Sequence, residues 1–297
     1  MSKPILWVMV GLSGSGKSTI AKKIAADNPN TLIISSDNIR EEITGDYEDQ
    51  EHNAEVFNIF HDRILKNLEN KQNVVADATN LTIKSRRSIL NKVNGLDIEK
   101  ICVIIPKPFE KCKEDNLHRE HPVPEDVLNK QLRRFQVPFK EEGWSEIKIY
   151  YLRKDGYEPN EIRFLDMEGF DQKNPHHTMD LLEHCKYATN MFIEKHKYSS
   201  EFITGALYHD IGKLYTQTFD ENGIAHYYQH HAVGSYFCLT AMYPIGTEYV
   251  LDTCFLINYH MMPFSLESDK AKKKWKKIFG DYKYQMLLDF NQCDKAR

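Results

Sequence analysis

One nine-residue stretch, residues 11–19, constrains the fold of this chain more than any other. It reads Gly-Leu-Ser-Gly-Ser-Gly-Lys-Ser-Thr and matches the pattern of a glycine, four residues, then Gly-Lys and a Ser or Thr. An apolar run at residues 5–10 precedes it, and residues 20–26 follow with helical spacing. The glycines therefore lie at a turn from a strand to a helix, where backbone N–H groups converge on an anion. The sequence predicts a nucleoside triphosphate site in the first half of the chain.

The residues of this P-loop have separate expected roles. We expect the Lys17 ammonium group to reach the β- and γ-phosphates, and the Ser18 hydroxyl, or that of Thr19, to hold Mg²⁺. ATP or another nucleoside triphosphate, together with Mg²⁺, is the expected cofactor. The predicted ATP-binding residues are Gly11, Ser13, Gly14, Ser15, Gly16, Lys17, Ser18 and Thr19.

Length, charge and cysteine usage restrict the class of protein. With 297 residues the chain is long enough for two domains, each with its own core. The net charge of −4 means that any contact with nucleic acid must come from local basic patches. The six cysteines form no Cys-x-x-Cys pair, which favours a reducing cytoplasm. The first apolar run leads into the P-loop and no run approaches membrane-spanning length, so we expect neither a signal peptide nor a membrane partner.

Two carboxylates follow predicted strands of the first half. Residues 31–36 and 73–76 are short β-rich runs, and Asp37 and Asp77 come directly after them. Ligands of a doubly wound parallel sheet bind beyond the carboxyl ends of its strands. We expect Asp37 to accept a proton from an attacking hydroxyl and Arg40, one turn later, to bind a phosphate; the alternative role of Asp37 is a helix cap. Asp77 either holds the metal ion or binds the acceptor.

Basic residues beside this cleft are further candidates. Thr79 or Asn80 begins a helix whose cations either contact phosphate or form a solvated face. Those cations are Lys84, Arg86 and Arg87. A basic, proline-interrupted stretch at residues 111–134 predicts a helical lid over the triphosphate, with a basic surface hairpin as the alternative. The arginines that could stabilise the transferring phosphoryl group are Arg119, Arg133 and Arg134.

Residues 4–150 resemble the P-loop polynucleotide 5′-hydroxyl kinases. The resemblance rests on the P-loop, on residues 36–40 (Ser-Asp-Asn-Ile-Arg), on residues 77–80 (Asp-Ala-Thr-Asn) and on the run at residues 116–138. It implies that Asp37 is the general base and that the lid arginines, of which Arg119 and Arg133 are the candidates, act on the donor. The residues expected on the acceptor side are Asp77, Arg40, Asn80 and Arg87. Members often carry Arg before the asparagine of the lid, where this chain has Asp115.

Helical periodicity replaces β-rich runs in the second half. Residues 168–175 are polar and include a glycine and a proline, so we place the domain boundary there. The predicted architecture is an α/β P-loop kinase domain at residues 1–167, with a parallel sheet flanked by helices and a helical lid. An all-α domain follows at residues 168–297.

Histidines and aspartates recur on the helices of the second half. Neutral imidazoles with carboxylates suit a divalent transition ion such as Mn, Ni, Co, Fe or Zn. The series resembles the HD phosphohydrolase superfamily over residues 176–295, with His176 and His177 as alternatives for the first ligand. The resemblance implies that the four-ligand set is His184, His209, Asp210 and Asp294. It also implies that His230 and His260 are the extra ligands of two-metal members and that Lys213 stabilises phosphate charge.

Two phosphate-directed sites on one chain predict an enzyme that heals broken nucleic-acid ends. A kinase would phosphorylate a 5′-hydroxyl, and an HD phosphoesterase would clear a 2′,3′-cyclic phosphate or another blocked 3′ end. The expected substrates are RNA ends, with tRNA among the candidates, or DNA ends, which a separate ligase would join. One alternative is a small-metabolite or nucleotide kinase fused to an HD nucleotidase. The other is a nucleotide-gated, RNA-binding regulatory module, for which the lysine-rich residues 270–277 offer either a basic patch or a solvated face.

Overall fold

The computed structural model describes residues 3–47, 49, 51–151, 164–174, 179–242 and 245–295. The chain divides into two compact units. The first unit comprises residues 1–131 and 142–155, and the second comprises residues 132–141 and 156–297. Within the described ranges, none of the helices combines the length and the apolar character that a membrane crossing requires.

A five-stranded parallel sheet flanked by helices forms the first unit, as predicted. The strand order is β2-β3-β1-β4-β5, so β1 is central and pairs with both β3 and β4. The strands are β1 (Ile5–Val10), β2 (Thr31–Ser35), β3 (Asn73–Asp77), β4 (Glu99–Ile104) and β5 (Glu146–Ile149). The helices are α1 (Lys17–Asp27), α2 (Ser36–Thr44), α3 (Asn53–Glu69), α4 (Ile83–Lys92), α5 (Phe109–Leu117) and α6 (Glu125–Arg133), the last two residues of which fall in the second unit.

The apolar runs of the central strands explain why the sheet forms. Trp7 and Met9 of β1, Val75 of β3 and Val103 of β4 are buried in one cluster with Ile20 of α1. Strands buried on both faces are continuous apolar runs rather than alternating ones. Because the strands are parallel, the residues that follow β1, β2 and β3 meet at one edge of the sheet.

Arg86 of α4 has a structural role, and neither sequence interpretation of this residue is right. Its Nε and Nη2 atoms donate to the Glu142 carboxylate at 2.8 and 2.6 Å, and both side chains are fully buried. Its Nη1 atom also donates to the Asn80 carbonyl oxygen at 3.2 Å. Arg86 therefore ties the loop after β3 to the turn before β5, and contacts neither solvent nor phosphate.

We expect Arg86→Ala to lower the free energy of unfolding by about 3–5 kcal/mol, because it leaves the Glu142 carboxylate buried without its partner. Arg63→Ala is the matched control, since Arg63 pairs with Glu42 on the surface and such pairs contribute about 0–1 kcal/mol. Urea denaturation of the full chain measures both. Equal losses in the two variants would contradict the prediction.

In the described residues of the second unit, the regular structure is helical except for one short hairpin. Its helices are α7 (Leu181–Lys195), α8 (Ser200–Leu207), α9 (Lys213–Thr216), α10 (His230–Ala241), α11 (Thr247–Tyr259) and α12 (Asp269–Asp294). The hairpin of β6 (Thr218–Phe219) and β7 (Ala225–His226) departs from the all-α prediction. Strands of two residues are too short to show alternation in a sequence. The turn between them has its own signal, because the Asp220 carboxylate accepts the N–H groups of Asn222 and Ile224 at 2.9 Å each.

Residues 132–141, which we call the strap, belong to the second unit, whereas the sequence analysis places them in the first domain. The Phe139 ring packs edge-on against the rings of Phe255 and Phe279. The Phe135 ring packs in the same way against Tyr236 of α10. The strap is therefore part of the helical core of this unit.

Candidate active sites

The P-loop lies at the turn from β1 to α1. Gly14 and Gly16 have φ angles of +77° and +93°, in the left-handed region that favours glycine. A Cβ atom on Gly14 would lie 2.1 Å from the Cys112 carbonyl oxygen, so the loop also needs glycine for close approach. The Ser15 hydroxyl oxygen is buried and has no hydrogen-bond partner among the described residues. An unsatisfied polar atom in a loop of backbone N–H groups fits a bound phosphate.

Lys17 and Asp77 lie close together at this edge of the sheet. The Lys17 Nζ atom donates to the Leu12 carbonyl oxygen at 2.7 Å. Burial lowers the pKa of Lys17, and the nearby Asp77 carboxylate opposes that shift. Burial likewise raises the pKa of Asp77, against the effects of Lys17 and of a hydrogen bond with Ser18. The Ser18 hydroxyl and the Asp77 carboxylate are thus adjacent oxygen ligands of the kind that Mg²⁺ prefers.

Gln131 contacts the P-loop, and the sequence analysis missed it. The Ser13 N–H donates to Gln131 Oε1 at 2.8 Å, and Gln131 Nε2 donates to the Ser13 hydroxyl at 3.0 Å. One glutamine in an amphipathic helix carries no sequence signal for such a role. The contact shows that α6 supports the P-loop.

Asp37 and Arg40 lie at the start of α2. One Asp37 oxygen is 3.4 Å from Arg40 Nη1, and the other is 3.6 Å from Arg119 Nη2. Arg40 is buried, its Nη2 atom donates to Asn53 Oδ1 at 2.8 Å, and its Nε atom has no partner among the described residues. Ser35 caps α2 by accepting the Asn38 N–H, so the alternative of Asp37 as the cap is wrong. Asn53 is a further residue that the sequence analysis missed.

The remaining predicted residues of the first half have different surroundings. Asn80 is buried, and its amide donates to the carbonyl oxygens of Met9 and Ala78 at 2.9 and 3.3 Å. Arg87 is half-buried on α4. Arg133 is exposed and falls in the second unit. Of the two candidate lid arginines, Arg119 is the one that lies beside Asp37 within the first unit.

Six buried or nearly buried side chains of the second unit converge on one another. They come from α7, the turn after α8, the start of α10, the residue after α11 and the end of α12. They are His184, His209, Asp210, His230, His260 and Asp294. The alternatives His176 and His177 lie outside the described residues.

The Asp210 carboxylate separates this cluster into two groups. Its Oδ2 atom is 3.5 and 3.4 Å from the Nε2 atoms of His184 and His209, which lie 3.1 and 3.2 Å from Asp294 Oδ1. We call these four residues the first metal group. Asp210 Oδ1 is 3.0 and 3.5 Å from the Nε2 atoms of His230 and His260, and these three residues are the second metal group. The donor atoms of His184, His209 and Asp210 lie close enough together for a single ion, and so do those of the second metal group.

Backbone hydrogen bonds orient three of the four imidazoles. The Nδ1 atoms of His209, His230 and His260 lie 2.8, 2.9 and 2.8 Å from the carbonyl oxygens of Ala206, Tyr227 and Ile257. A carbonyl oxygen only accepts, so each Nδ1 carries a proton, and each ring directs its Nε2 atom into the cluster.

Two contacts in the cluster suit a cation. His209 Nε2 is buried and makes no well-directed hydrogen bond among the described residues, although Asp294 Oδ1 and Asp210 Oδ2 lie 3.2 and 3.4 Å from it. Burial lowers the pKa of His260, and its Nε2 atom lies 3.2 Å from His230 Nε2, so two imidazole nitrogens face each other. A divalent ion bound by both nitrogens would satisfy this arrangement.

The charges of the cluster favour the same interpretation. Burial disfavours a charged His209, yet Asp210 and Asp294 raise its pKa well above the usual value. Burial also opposes ionisation of Asp210, but Lys213 and His209 hold its pKa far below the usual range. Lys213 Nζ is 2.6 Å from Asp210 Oδ2 and donates to Gln172 Oε1 at 2.8 Å. The buried carboxylates thus attract positive charge, which protons or metal ions can supply.

A family model and several known proteins match parts of this chain. Residues 6–138 match the model of a family described as an AAA domain. The L-seryl-tRNA(Sec) kinase of Methanococcus maripaludis is 27% identical over 174 residues, which are 57% of this chain and 68% of that protein. The bifunctional polynucleotide phosphatase/kinase of Schizosaccharomyces pombe is 26% identical over 149 residues, which are 48% of this chain but only 32% of that protein.

Among solved structures, a chain of the Pnkp1/Rnl/Hen1 RNA repair complex is similar with a TM-score of 0.41 and 22% identity, over 45% of this chain and 44% of that one. The match to the AAA-domain family model, at residues 6–138, includes the P-loop and strands β1–β4 of the parallel sheet. The first unit is therefore a P-loop kinase domain.

Proposed function

We propose that this chain is a bifunctional enzyme of nucleic-acid end healing. The first unit would transfer a phosphoryl group from ATP to a 5′-hydroxyl, and the second would act as an HD-type phosphohydrolase on a 2′,3′-cyclic phosphate or other 3′-phosphoester. The observation that carries the proposal is the convergence of six metal-ligating side chains in a chain that also has a P-loop kinase domain. One unit then adds phosphate and the other removes it.

The kinase reaction follows from the residues around Asp37. The Asp37 carboxylate would accept the proton of the acceptor hydroxyl. The hydroxyl oxygen would form a bond to the γ-phosphorus as the bond from that phosphorus to the bridging oxygen of ATP breaks and ADP leaves. Arg40, held by Asn53, would bind the acceptor phosphate, and Arg119 would stabilise charge on the transferring group. Mg²⁺, held by Ser18 and Asp77, would neutralise the β- and γ-phosphates.

The two metal groups supply the residues for the hydrolytic reaction. Divalent ions would supply Lewis-acid activation of the phosphoester when bound. Asp210 and the surrounding imidazoles would hold them, and the backbone carbonyls behind the imidazoles would keep the Nε2 atoms directed inward. Lys213, close to Asp210, is placed to stabilise negative charge on phosphate.

A relative with two related activities supports a polynucleotide as substrate. The Schizosaccharomyces pombe protein is named a bifunctional polynucleotide phosphatase/kinase. The match covers only about a third of that protein, so it does not by itself assign both activities to this chain. The pairing of the two activities is part of our proposal.

The test uses an oligonucleotide with a 5′-hydroxyl and a 2′,3′-cyclic phosphate, incubated with ATP, Mg²⁺ and Mn²⁺. We expect Lys17→Ala to lose 5′ phosphorylation and keep the 3′ reaction, and His209→Ala to do the reverse. Lys23→Ala, on the exposed face of α1, and His226→Ala, on the hairpin, are the matched controls. Failure of the wild-type chain to phosphorylate the 5′ end would refute the kinase assignment, and loss of both reactions in one variant would refute two separate sites.

A second candidate acceptor comes from the archaeal relative. That protein is named an L-seryl-tRNA(Sec) kinase, and this chain covers two thirds of its length. The acceptor would then be the hydroxyl of an aminoacyl group on tRNA, with the same Asp37 as base. Comparing kcat/KM for seryl-tRNA, a 5′-hydroxyl oligonucleotide and a mononucleoside decides between the candidates, since the proposal requires the oligonucleotide to be preferred.

A further inference from the structure

The strap forms a set of buried hydrogen bonds with the carboxyl end of α11. The Val137 N–H donates to Asn258 Oδ1 at 3.1 Å, and Asn258 Nδ2 donates to the Phe135 carbonyl oxygen at 3.1 Å. Asn258 Nδ2 also donates to the carbonyl oxygen of His231 at 3.4 Å. The Tyr259 hydroxyl donates to the Val137 carbonyl oxygen at 2.9 Å. Asn258 therefore uses both ends of its amide to join the strap, α11 and α10.

These hydrogen bonds end beside two of the metal-ligating histidines. Asn258 and Tyr259 directly precede His260, and His231 directly follows His230. His230 and His260 belong only to the second metal group. The strap thus fixes the two backbone positions from which these imidazoles project.

The contacts that orient the first metal group involve other parts of the unit. His184 lies on α7 with its Nε2 atom 3.1 Å from Asp294 Oδ1, and His209 Nδ1 lies 2.8 Å from the Ala206 carbonyl oxygen at the end of α8. Glu141 at the end of the strap pairs with Lys283 of α12 at 3.0 Å. Asp294 lies about three helical turns beyond that contact. A change in the strap should therefore affect the two groups unequally.

We propose that the strap is a positioning element of the second metal group and that Asn258 is its positioning residue. Asn258 holds the ends of α10 and α11 so that the Nε2 atoms of His230 and His260 face Asp210 Oδ1 together. Residues behind metal ligands set ligand orientation, and their loss weakens metal affinity about 10- to 100-fold. This inference rests on the proposed metal-dependent function of the second unit.

The experiment compares metal binding by full-length wild type, Asn258→Ala and Ser235→Ala. Ser235 is the matched control because its hydroxyl donates to Cys254 at 3.1 Å and so also joins α10 to α11, away from the strap. Each chain is loaded with Mn²⁺, titrated by calorimetry and measured for bound Mn by elemental analysis, and Mn–Mn coupling is recorded by electron paramagnetic resonance. For Asn258→Ala we expect one of the two binding steps to lose about 10- to 100-fold in affinity, with loss of the coupled signal, while the other step is unchanged.

A second variant keeps the test decisive where Asn258→Ala does not fold. Tyr259→Phe removes only the hydroxyl that donates to Val137, and it should weaken the same step by a smaller factor. If both Mn²⁺-binding steps kept their wild-type affinity in Asn258→Ala and in Tyr259→Phe, the inference would be overturned. A loss of affinity in Ser235→Ala equal to that in Asn258→Ala would overturn it as well. If the wild type did not bind Mn²⁺, the proposed function would fail and this inference with it. If the wild type binds Mn²⁺ and the strap variants bind it equally well, only this inference fails.

Discussion

Asp210→Asn is expected to abolish metal binding in both metal groups and, with it, the hydrolysis that we propose for the second unit. The two oxygens of Asp210 face different groups, Oδ2 toward His184 and His209 and Oδ1 toward His230 and His260. An amide has the same shape but no charge, and one of its ends presents a donor instead of an acceptor. Loss of a residue that only supports a metal ligand weakens metal affinity roughly 10- to 100-fold. Because Asp210 is itself a candidate ligand, the metal affinity of both metal groups should fall by more than that. Bound metal and 3′-end hydrolysis measure the effect, while 5′ phosphorylation should be unchanged.

Asp289→Asn is the matched control for that substitution. Asp289 is a largely buried aspartate of the same unit that accepts from the Tyr198 hydroxyl at 2.7 Å and lies 3.4 Å from His196 Nδ1. It should lower stability without changing the number of bound ions. Retention of one ion by Asp210→Asn would show that the two groups do not share this carboxylate.

The sheet and its P-loop were predictable because their signals are local. A buried strand is a continuous apolar run, and the P-loop pattern specifies a turn through the positions of its glycines. Residues that end neighbouring parallel strands must lie at the same edge, so the proximity of Asp77 and Lys17 follows from the order of elements alone.

The candidate metal ligands of the second unit were predictable only as a group. Any one histidine on a helix is usually a hydrogen-bonded core or surface residue, and spacing cannot show whether distant residues meet. The resemblance to a known family supplied the choice of His184, which the structure places next to Asp294. The division of the cluster by the two oxygens of Asp210 depends on side-chain orientation, which no sequence pattern contains.

The strap and Gln131 were not predictable, because their partners are far away in the sequence. Val137 and Asn258 are separated by 121 residues. The strap follows α6, so chain order groups it with the first unit, whereas its packing groups it with the second. Arg86 was misinterpreted for the same reason, since its partner Glu142 is 56 residues away and turns a basic position into a buried ion pair.

Gly14→Ala is expected to abolish 5′ phosphorylation while leaving 3′-end hydrolysis intact. The added Cβ atom would lie 2.1 Å from the Cys112 carbonyl oxygen, and the residue would keep a φ of +77° only under strain. The loop must therefore move away from α5, and a displacement of about 1 Å at a catalytic site can cost about 100-fold in rate. Steady-state kinase kinetics and ATP binding of the full chain measure the loss.

Gly95→Ala separates the clash from the backbone strain. Gly95 also has a positive φ, +89°, but a Cβ atom there would meet nothing within 4 Å. Both variants carry the strain of an alanine in the left-handed region, about 1–2 kcal/mol, and only Gly14→Ala adds the contact with Cys112. If the two variants lost kinase activity equally, the close approach of the P-loop to α5 would not be what requires glycine at position 14. If Gly14→Ala alone loses it, the carbonyl of Cys112 determines the position of the phosphate-binding loop.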